Sequence, residues 1–244
     1  MNSGAVVIPA RYRSSRFLGK PLADINGMPM LQHVYNQCAE AVGRKNVYVA
    51  TDDRRIVDAV EYFNGQVIMT SSSCLTGTDR VAEANKILDL DFIVNVQGDE
   101  PMVDPADIKV IYDRMTKSTD KILNCYCDIA PSEILMPTVP KVVISNSGRL
   151  LYMSRGGCPF DKGGAAQARY KQVCIYGFSR DHLKIFSKHA EKTANENIED
   201  IEILRFLDLD ITVDMIKVAE GSIAVDTPED LARVKLVFDD VGRN

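Results

Sequence analysis

The stretch that decides the fold spans residues 6–22 and reads VVIPARYRSSRFLGKPL. It begins with a short apolar run, which is typical of a buried parallel strand. Four cations follow in a single loop, namely Arg11, Arg13, Arg16 and Lys20. Such crowding costs Coulomb repulsion unless an anion neutralises it, so the loop predicts a phosphate-rich ligand.

Charge by itself leaves a second interpretation open, a solvated surface loop, which accounts for most basic clusters. The position of the loop favours the ligand, because open α/β sheets bind their ligands at the carboxyl ends of the strands. Gly19 supports the same interpretation, since a residue without a side chain lets the backbone come close to a phosphate.

The composition indicates a globular protein. The 244 residues, 45% of them hydrophobic, suffice for one core, so we expect a single domain over residues 1–244. The net charge of −5 argues against nucleic acid as a partner. Neither a membrane-spanning run nor a signal peptide is recognisable, so we expect a cytoplasmic protein without a membrane partner. Six cysteines without a C-x-x-C pair favour buried thiols over zinc.

Apolar strand-like runs alternate with amphipathic helical ones through the first hundred residues. Strands are predicted at 6–9, 46–50, 66–70 and 92–96, and helices at 29–41, 54–63 and 79–88. This order predicts an α/β fold with a doubly wound, mostly parallel, Rossmann-like sheet that carries helices on both faces.

Residues 122–178 have a different character, with short strand-like runs and turn signals. We interpret this segment as a small β-rich insertion that caps the site and contributes a dimer contact. Helical periodicity returns from Asp181, and a last helix is predicted with Thr227 as N-cap and Pro228 as first residue.

Two acidic turns are predicted to face the basic loop. Asp99 follows the apolar run 92–96, and Asp226 precedes the last helix. Two carboxylates that meet at a phosphate site can hold Mg²⁺, which prefers oxygen ligands. Each residue also has a structural interpretation, a tight turn for Asp99 and a helix N-terminus for Asp226.

Several motifs together resemble the CMP-Kdo synthetases, the 3-deoxy-manno-octulosonate cytidylyltransferases. The resemblance runs from residue 6 to residue 234. The motifs that carry it are PARY (9–12), SSR (14–16), GKPL (19–22), YVATD (48–52), GTDR (77–80), NVQGDEP (95–101) and VDTPEDL (225–231).

The resemblance implies a nucleotidyltransferase fold and a homodimer. It also implies Mg²⁺-dependent transfer of CMP from CTP to the anomeric hydroxyl of a 2-keto-3-deoxy sugar acid, with release of pyrophosphate, for the synthesis of bacterial surface polysaccharide or lipopolysaccharide. Such a transfer depends on positioning and charge neutralisation, so it needs no serine or cysteine nucleophile.

The family pattern also implies the site residues. The catalytic cations are Arg11, Arg16 and Lys20, and the Mg²⁺ ligands are Asp99 and Asp226. The implied nucleotide contacts are Ala10, Arg11, Arg16, Lys20, Ser71, Ser72, Gly77, Thr78, Arg80, Gln97 and Asp99. The implied sugar-acid contacts are Gln97, Lys141, Tyr152, Arg155, Gln172, Tyr176 and Glu202.

Some of these residues have alternative interpretations. Arg155 resembles the family arginine for the substrate carboxylate, while Glu199, Glu202 and Arg205 resemble a helix facing the sugar hydroxyls. The helical spacing of the two glutamates is equally typical of a solvated charge stripe. Arg80 can likewise be a surface helix cation.

The sequence departs from the family pattern mainly on the sugar side. Gln172 stands where the family motif H-x-G-[IV]-Y has its histidine. The segment 129–141 is short, 206–214 is long and lacks its usual glycine, and Leu18 replaces a common proline. We therefore expect retained CTP chemistry with an altered acceptor, either a Kdo-like acid or a sialic-acid-like nonulosonate.

Two other functions remain as alternatives. A nucleotide-sugar glycosyltransferase could share the fold, but it would normally carry a D-x-D pair where this chain has Gly98, Asp99 and Glu100. A non-catalytic nucleotide-binding protein could also have kept the fold.

Overall fold

The computed structural model describes residues 1–13, 17–219 and 222–241, with side chains up to Asp239. Arg16, predicted as a catalytic cation, lies outside the described residues. The strands are β1 (Gly4–Ala10), β2 (Asp24–Ile25), β3 (Met28–Pro29), β4 (Val47–Thr51), β5 (Gln66–Met69), β6 (Phe92–Val96), β7 (Ile122–Asp128), β8 (Lys141–Ile144), β9 (Leu150–Ser154), β10 (Tyr170–Ser179) and β11 (Val213–Lys217).

The central sheet follows the strand order β11-β7-β10-β6-β1-β4-β5. Strand β10 runs antiparallel to both of its neighbours, whereas the remaining pairs along this path are parallel. The carboxyl ends of six strands therefore meet at one edge of the sheet, which is where such folds bind ligands. The predicted mostly parallel α/β sheet is confirmed.

Helices cover both faces of the sheet. They are α1 (Met30–Val42), α2 (Arg54–Tyr62), α3 (Gly77–Leu88), α4 (Pro105–Lys117), α5 (Arg180–Ser187), α6 (Ala194–Glu199), α7 (Leu204–Asp208) and α8 (Pro228–Val241). Alternate residues of β1 enter opposite cores: Val6 and Ile8 pack with α1, α2 and α4, and Ala5 and Val7 with α3, α5 and α7. Burial on both faces explains why β1 is a continuous apolar run rather than an alternating one.

The predicted insertion 122–178 is not separate from the sheet at its two ends. Strands β7 and β10 are interior strands of the central sheet, paired with each other and with β11 and β6. Strands β8 and β9 form an antiparallel pair that joins β10 through Lys141 and Lys171. Only the residues between the end of β7 and the start of β10 thus lie outside the strand order of the central sheet, so the insertion is shorter than predicted.

The C-terminal segment returns to the carboxyl edge of the sheet. Val225 donates a backbone hydrogen bond to the carbonyl of Asp99 at 2.9 Å, which brings Asp226 beside the first acidic turn. Thr227 and Asp230 form reciprocal hydrogen bonds at the start of α8, so the predicted N-cap at Thr227 is confirmed.

The six cysteines all lie in the described ranges and carry thiols rather than disulfides, and Cys38, Cys74, Cys125 and Cys127 are buried. Burial raises the pKa of Cys38 and Cys125, which keeps these thiols protonated and inert. Within the described ranges, the helices are too short or too polar to cross a membrane.

Candidate active site

A cleft of about 370 Å³ opens at the carboxyl edge, between the loops that follow β1 and β6 and the start of α3. It is lined by Pro9, Ala10, Arg11, Arg13, Lys20, Pro21, Leu75, Thr76, Gly77, Gln97, Gly98, Asp99, Lys192, Asp200, Glu202 and Asp226. Eight residues of the predicted site are among them: Ala10, Arg11, Lys20, Gly77, Gln97, Asp99, Glu202 and Asp226.

The basic loop is held in place by backbone and ring contacts. Gly19 adopts a left-handed conformation with φ of 72°, which a glycine tolerates without strain. Its backbone N–H donates to the carbonyl of Tyr12 at 2.9 Å, and the guanidinium of Arg55 stacks on the Tyr12 ring at 3.3 Å. This closure positions Lys20 at the start of a short 3-10 helix that faces the cleft.

Lys20 lies between the two predicted metal ligands. Its Nζ donates to Asp99 Oδ2 at 2.8 Å and to Asp226 Oδ1 at 3.2 Å, and its side chain is only 14% exposed. Burial disfavours the ammonium, but the two carboxylates outweigh it and raise the pKa of Lys20. The cation therefore stays charged and already neutralises this acidic pair.

The two carboxylates fit a Mg²⁺ site. Both Asp99 and Asp226 contact the same ammonium, so the two carboxylates face the same point of the cleft. Among the described residues there is no cluster of three or more potential metal-ligating side chains. Two carboxylates are nonetheless typical of Mg²⁺ bound together with substrate phosphates and waters. Gly98 lets this turn pack on β1, since a Cβ there would lie 3.1 Å from the carbonyl oxygen of Pro9.

Two further cations follow β1. The Nη2 of Arg11 donates to the carbonyl of Cys74 at 2.5 Å, which links the basic loop to the loop before α3. Arg13, which we interpreted from the sequence as the solvated cation of the loop, is exposed and also lines the cleft. The described part of the loop thus presents three cations to the cleft.

The start of α3 forms the opposite wall. Thr76 and Asp79 form a capping box, and the backbone N–H groups of Gly77 and Thr78 donate to the carboxylate of Glu202 at 2.8 and 2.7 Å. A Cβ at Gly77 would lie 3.1 Å from the Gln97 amide and 3.2 Å from Glu202. Glycine at this position therefore lets both side chains approach. Burial raises the pKa of Glu202 despite these hydrogen bonds.

The structure corrects the interpretation of Arg205. This side chain is fully buried and pairs bidentately with Glu196, with both N–O distances 2.7 Å, and with Asp79 at 2.9 Å. It also stacks on Phe186. Arg205 therefore holds the first turn of α3 in place through Asp79 and does not face a sugar.

Arg80 is also buried. Its side chain is 0% exposed, donates to Thr70 Oγ1 at 2.6 Å and lies 3.3 Å from Asp52, so the surface-cation interpretation is wrong. Its Nε has no hydrogen-bond partner. Burial lowers the pKa of Arg80. A role of Arg80 in nucleotide binding stays a prediction.

Apart from Gln97 and Glu202, the predicted sugar-side residues do not line the cleft. The Arg155 guanidinium donates to the carbonyls of Pro137, Glu199 and Asp200, and the Lys141 ammonium to those of Met136 and Arg155. In this conformation Arg155 therefore ties the end of β9 to the end of α6 and to the loop before β8. Binding a substrate carboxylate would require it to exchange these carbonyls.

Glu199 and Glu202 do not form a solvated stripe. Glu199 accepts from the Ser154 hydroxyl and the Arg155 backbone N–H, both at 2.8 Å. Together with the bonds from the start of α3 to Glu202, these contacts tie the α6–α7 segment to two other parts of the chain.

The remaining predicted contacts lie outside the cleft. Ser71 is exposed and its backbone N–H donates to Glu83, Ser72 is exposed, and Thr78 is buried behind Gly77. Tyr152 contacts Asn195 at 3.5 Å. Sequence reasoning missed Lys192 and Asp200, an ion pair at 2.5 Å on the cleft wall, because these residues flank α6 outside the motifs of the sequence.

An open α/β sheet with three cations and two carboxylates at its carboxyl edge is the architecture of a nucleotidyltransferase. Comparison with known families agrees with this class. Residues 5–213 match the family model described as cytidylyltransferase, and the chain belongs to this family.

Individual relatives are similar over nearly the whole chain. The 3-deoxy-manno-octulosonate cytidylyltransferase of Escherichia coli is 39% identical over 240 residues, covering 98% of this chain and 97% of that protein. The 8-amino-3,8-dideoxy-manno-octulosonate cytidylyltransferase of Shewanella halifaxensis is 39% identical over 232 residues, with coverage of 93% and 94%.

A solved structure of a CMP:2-keto-3-deoxy-manno-octonic acid synthetase complexed with CTP superposes with a TM-score of 0.89. It is 36% identical, and the match covers 98% of this chain and 99% of that one. These findings confirm the family resemblance that the motifs indicated.

Proposed function

We propose that this protein transfers CMP from CTP to the anomeric hydroxyl of a Kdo-like 2-keto-3-deoxy sugar acid and releases pyrophosphate. The observation that carries the proposal is the position of Lys20 between Asp99 and Asp226, inside a cleft that also presents Arg11 and Arg13. The names of the relatives support the acceptor class, since they act on manno-octulosonates.

The reaction makes one bond and breaks one. The anomeric oxygen of the acid attacks the α-phosphorus of CTP, the bond from that phosphorus to the bridging oxygen breaks, and pyrophosphate leaves with the bridging oxygen. The hydroxyl proton is lost to solvent. Fixed positive charge near the α-phosphate and the leaving pyrophosphate lowers the barrier to such a transfer.

The cations of the basic loop supply that charge. Lys20 is the residue best placed to contact the α-phosphate and the leaving group, because it lines the cleft with a side chain only 14% exposed and keeps its charge beside two carboxylates. Arg11 and Arg13 extend the positive surface along the triphosphate. Arg16 keeps its proposed role as a further phosphate cation on the strength of the motif.

Asp99 and Asp226 would hold Mg²⁺, which when bound neutralises phosphate charge and orients the triphosphate. Their bonds to Lys20 show that the acidic pair accepts a cation at this position. Binding of Mg²⁺ with CTP would transfer these carboxylates from the ammonium to the metal and leave Lys20 to the phosphates.

The acceptor would bind beside Gln97 and Glu202. These side chains meet above Gly77, on the wall opposite the basic loop, so an acid placed there has its anomeric oxygen near the proposed α-phosphate site. Lys141, Tyr152, Arg155, Gln172 and Tyr176 remain proposed members of the acceptor site.

We also propose a cytoplasmic homodimer that serves surface polysaccharide or lipopolysaccharide synthesis, with β8, β9 and their connecting loops at the dimer contact.

The proposal is tested by measuring pyrophosphate release from CTP and Mg²⁺ with Kdo, its 8-amino-8-deoxy counterpart and a nonulosonate. We expect turnover with at least one eight-carbon acid. Asp99→Asn and Asp226→Asn should each lower kcat by about 10²-fold or more, since both remove charge from the metal site. Asp58→Asn, which removes an exposed carboxylate on α2, is the matched control.

Exclusive use of the nonulosonate would show that the acceptor class is wrong. Nucleotide binding without pyrophosphate release from any acid would instead support a non-catalytic nucleotide-binding protein. Size-exclusion chromatography with light scattering tests the dimer, which a monomer at micromolar concentration would contradict.

A further inference from the structure

Asn124 is a fully buried side chain on β7, opposite a bulge in β10. At this bulge the Nδ2 of Asn124 donates to two carbonyls of β10, at 3.0 Å to Val173 and 3.0 Å to Ile175. Backbone carbonyls can only accept hydrogen bonds, so these two contacts fix which end of the amide is nitrogen. The Asn124 oxygen must face the other way.

That oxygen determines the orientation of Gln172. The Nε2 of Gln172 donates to Asn124 Oδ1 at 3.1 Å and to the Tyr176 hydroxyl at 3.0 Å. An amide nitrogen carries two hydrogens, so both donors of Gln172 are in use. The Oε1 atom is the end of this side chain that remains for a ligand, and it can only accept.

Gln172 lies beside the acceptor half of the cleft. The backbone N–H of Gln97, which lines the cleft, donates to the carbonyl of Cys174 at 3.4 Å, and Cys174 is two residues from both Gln172 and Tyr176. Gln172 donates to the Tyr176 hydroxyl and is half-buried, which leaves part of its side chain accessible.

We propose that Asn124 is a positioning residue that locks Gln172 as an acceptor-only group, so that the enzyme selects sugar acids presenting a hydroxyl or ammonium donor at that point. The inference rests on the proposed function, since it concerns the acceptor of that reaction. It predicts discrimination against acids that carry a non-donating group there.

The kinetic test compares a turned-over acid with deoxyfluoro counterparts at each hydroxyl except the anomeric one, because fluorine is small and cannot donate. For wild type, we expect kcat/KM to fall about tenfold for one position, as for the loss of one neutral hydrogen bond. The counterpart with an amino group at that position should still be turned over. The ratio of its kcat/KM to that of the hydroxyl acid tells which donor the site prefers.

In Gln172→Met, the ratio of kcat/KM between the hydroxyl acid and its deoxyfluoro counterpart should fall close to one. Asn124→Ser should do the same, because the Gln172 amide is then able to turn and to donate, whereas a merely structural defect would lower all rates equally. Asn95→Ala, which removes another fully buried amide from the central sheet, is the matched control and should keep the tenfold ratio. Equal discrimination in Asn124→Ser and wild type would overturn the inference, and so would turnover by wild type without discrimination at any position.

A second measurement is independent of the acceptor and of the folding of the Asn124 variant. In ¹H–¹⁵N spectra of the wild-type protein, the Gln172 side-chain amide pair, identified by its loss in Gln172→Met, should show both protons protected from solvent exchange. Rapid exchange of either proton would refute the lock. Failure of every acid to react would refute the proposed function instead, and this spectrum would still report on the amide.

Discussion

Replacing Lys20 by Met tests whether Asp99 and Asp226 form a cation site. In the described structure the Lys20 ammonium contacts both carboxylates, at 2.8 and 3.2 Å, so a divalent cation must compete with it. Methionine keeps most of the apolar stem but carries no charge. We therefore expect Lys20→Met, without CTP, to bind Mn²⁺ more tightly than wild type, even though it should lose catalytic activity.

The magnitude follows from the burial of the two ion pairs. The Lys20, Asp99 and Asp226 side chains are 14%, 30% and 24% exposed, so we assign each pair about 0.7 kcal/mol, in the upper half of the range of about 0.2–1 kcal/mol for exposed pairs. Loss of both pairs removes about 1.4 kcal/mol of competition, which corresponds to a roughly tenfold lower Kd. The raised pKa of Lys20 keeps the competing ammonium charged at the pH of the assay.

The assay is a titration of the CTP-free protein with Mn²⁺, with free Mn²⁺ followed by electron paramagnetic resonance. Lys171→Met is the matched control, because Lys171 forms an ion pair of 2.6 Å with Glu133, with both side chains similarly buried. It should leave the Mn²⁺ affinity unchanged. Unchanged or weaker Mn²⁺ binding by Lys20→Met would refute the assignment of the two carboxylates as a metal site.

Two further predictions concern stability. Arg205→Met leaves the fully buried Glu196 without its counter-ion, so the free energy of unfolding in urea titrations should fall by about 3–5 kcal/mol. A smaller loss in the double variant Arg205→Met/Glu196→Gln would confirm that the unpaired charge is responsible. Burial, followed by Asp104, raises the pKa of Asp107 from 3.8 to about 6, so its stabilising contribution is present below pH 3.8 and is lost as the pH rises through 6. Asp107→Asn should therefore gain about 2 kcal/mol relative to wild type between these pH values, and a constant difference would contradict the shift.

The fold could be predicted because its signals are local. The apolar run of β1 and the alternation of strand and helix periods depend on neighbouring residues, and both agree with the structure. The positions of Lys20, Asp99 and Asp226 could also be predicted, because each lies next to a strand end or helix start at the same edge of the sheet. The interior position of β7 and β10 could not, since pairing order is not encoded in the local period.

The partners of buried and half-buried polar groups could not be predicted from the sequence. Arg155, whose role at the substrate carboxylate stays a prediction, donates to three backbone carbonyls, and Arg205, which was expected near a sugar, is buried with Asp79 and Glu196. The same guanidinium suits substrate carboxylates, protein carboxylates and carbonyls equally well. Residue type and spacing therefore do not choose among them.

The sequence by itself determined the α/β sheet, the family and the set of charged groups at the carboxyl edge, because these follow from local periodicity and from contiguous motifs. Only the tertiary structure decided which charges meet. Glu202 reaches the start of α3 across 125 positions, Lys20 reaches Asp226 across 206, and Asn124 fixes Gln172 across 48. A buried polar group must find a partner, and the packing of distant segments determines which partner is within reach.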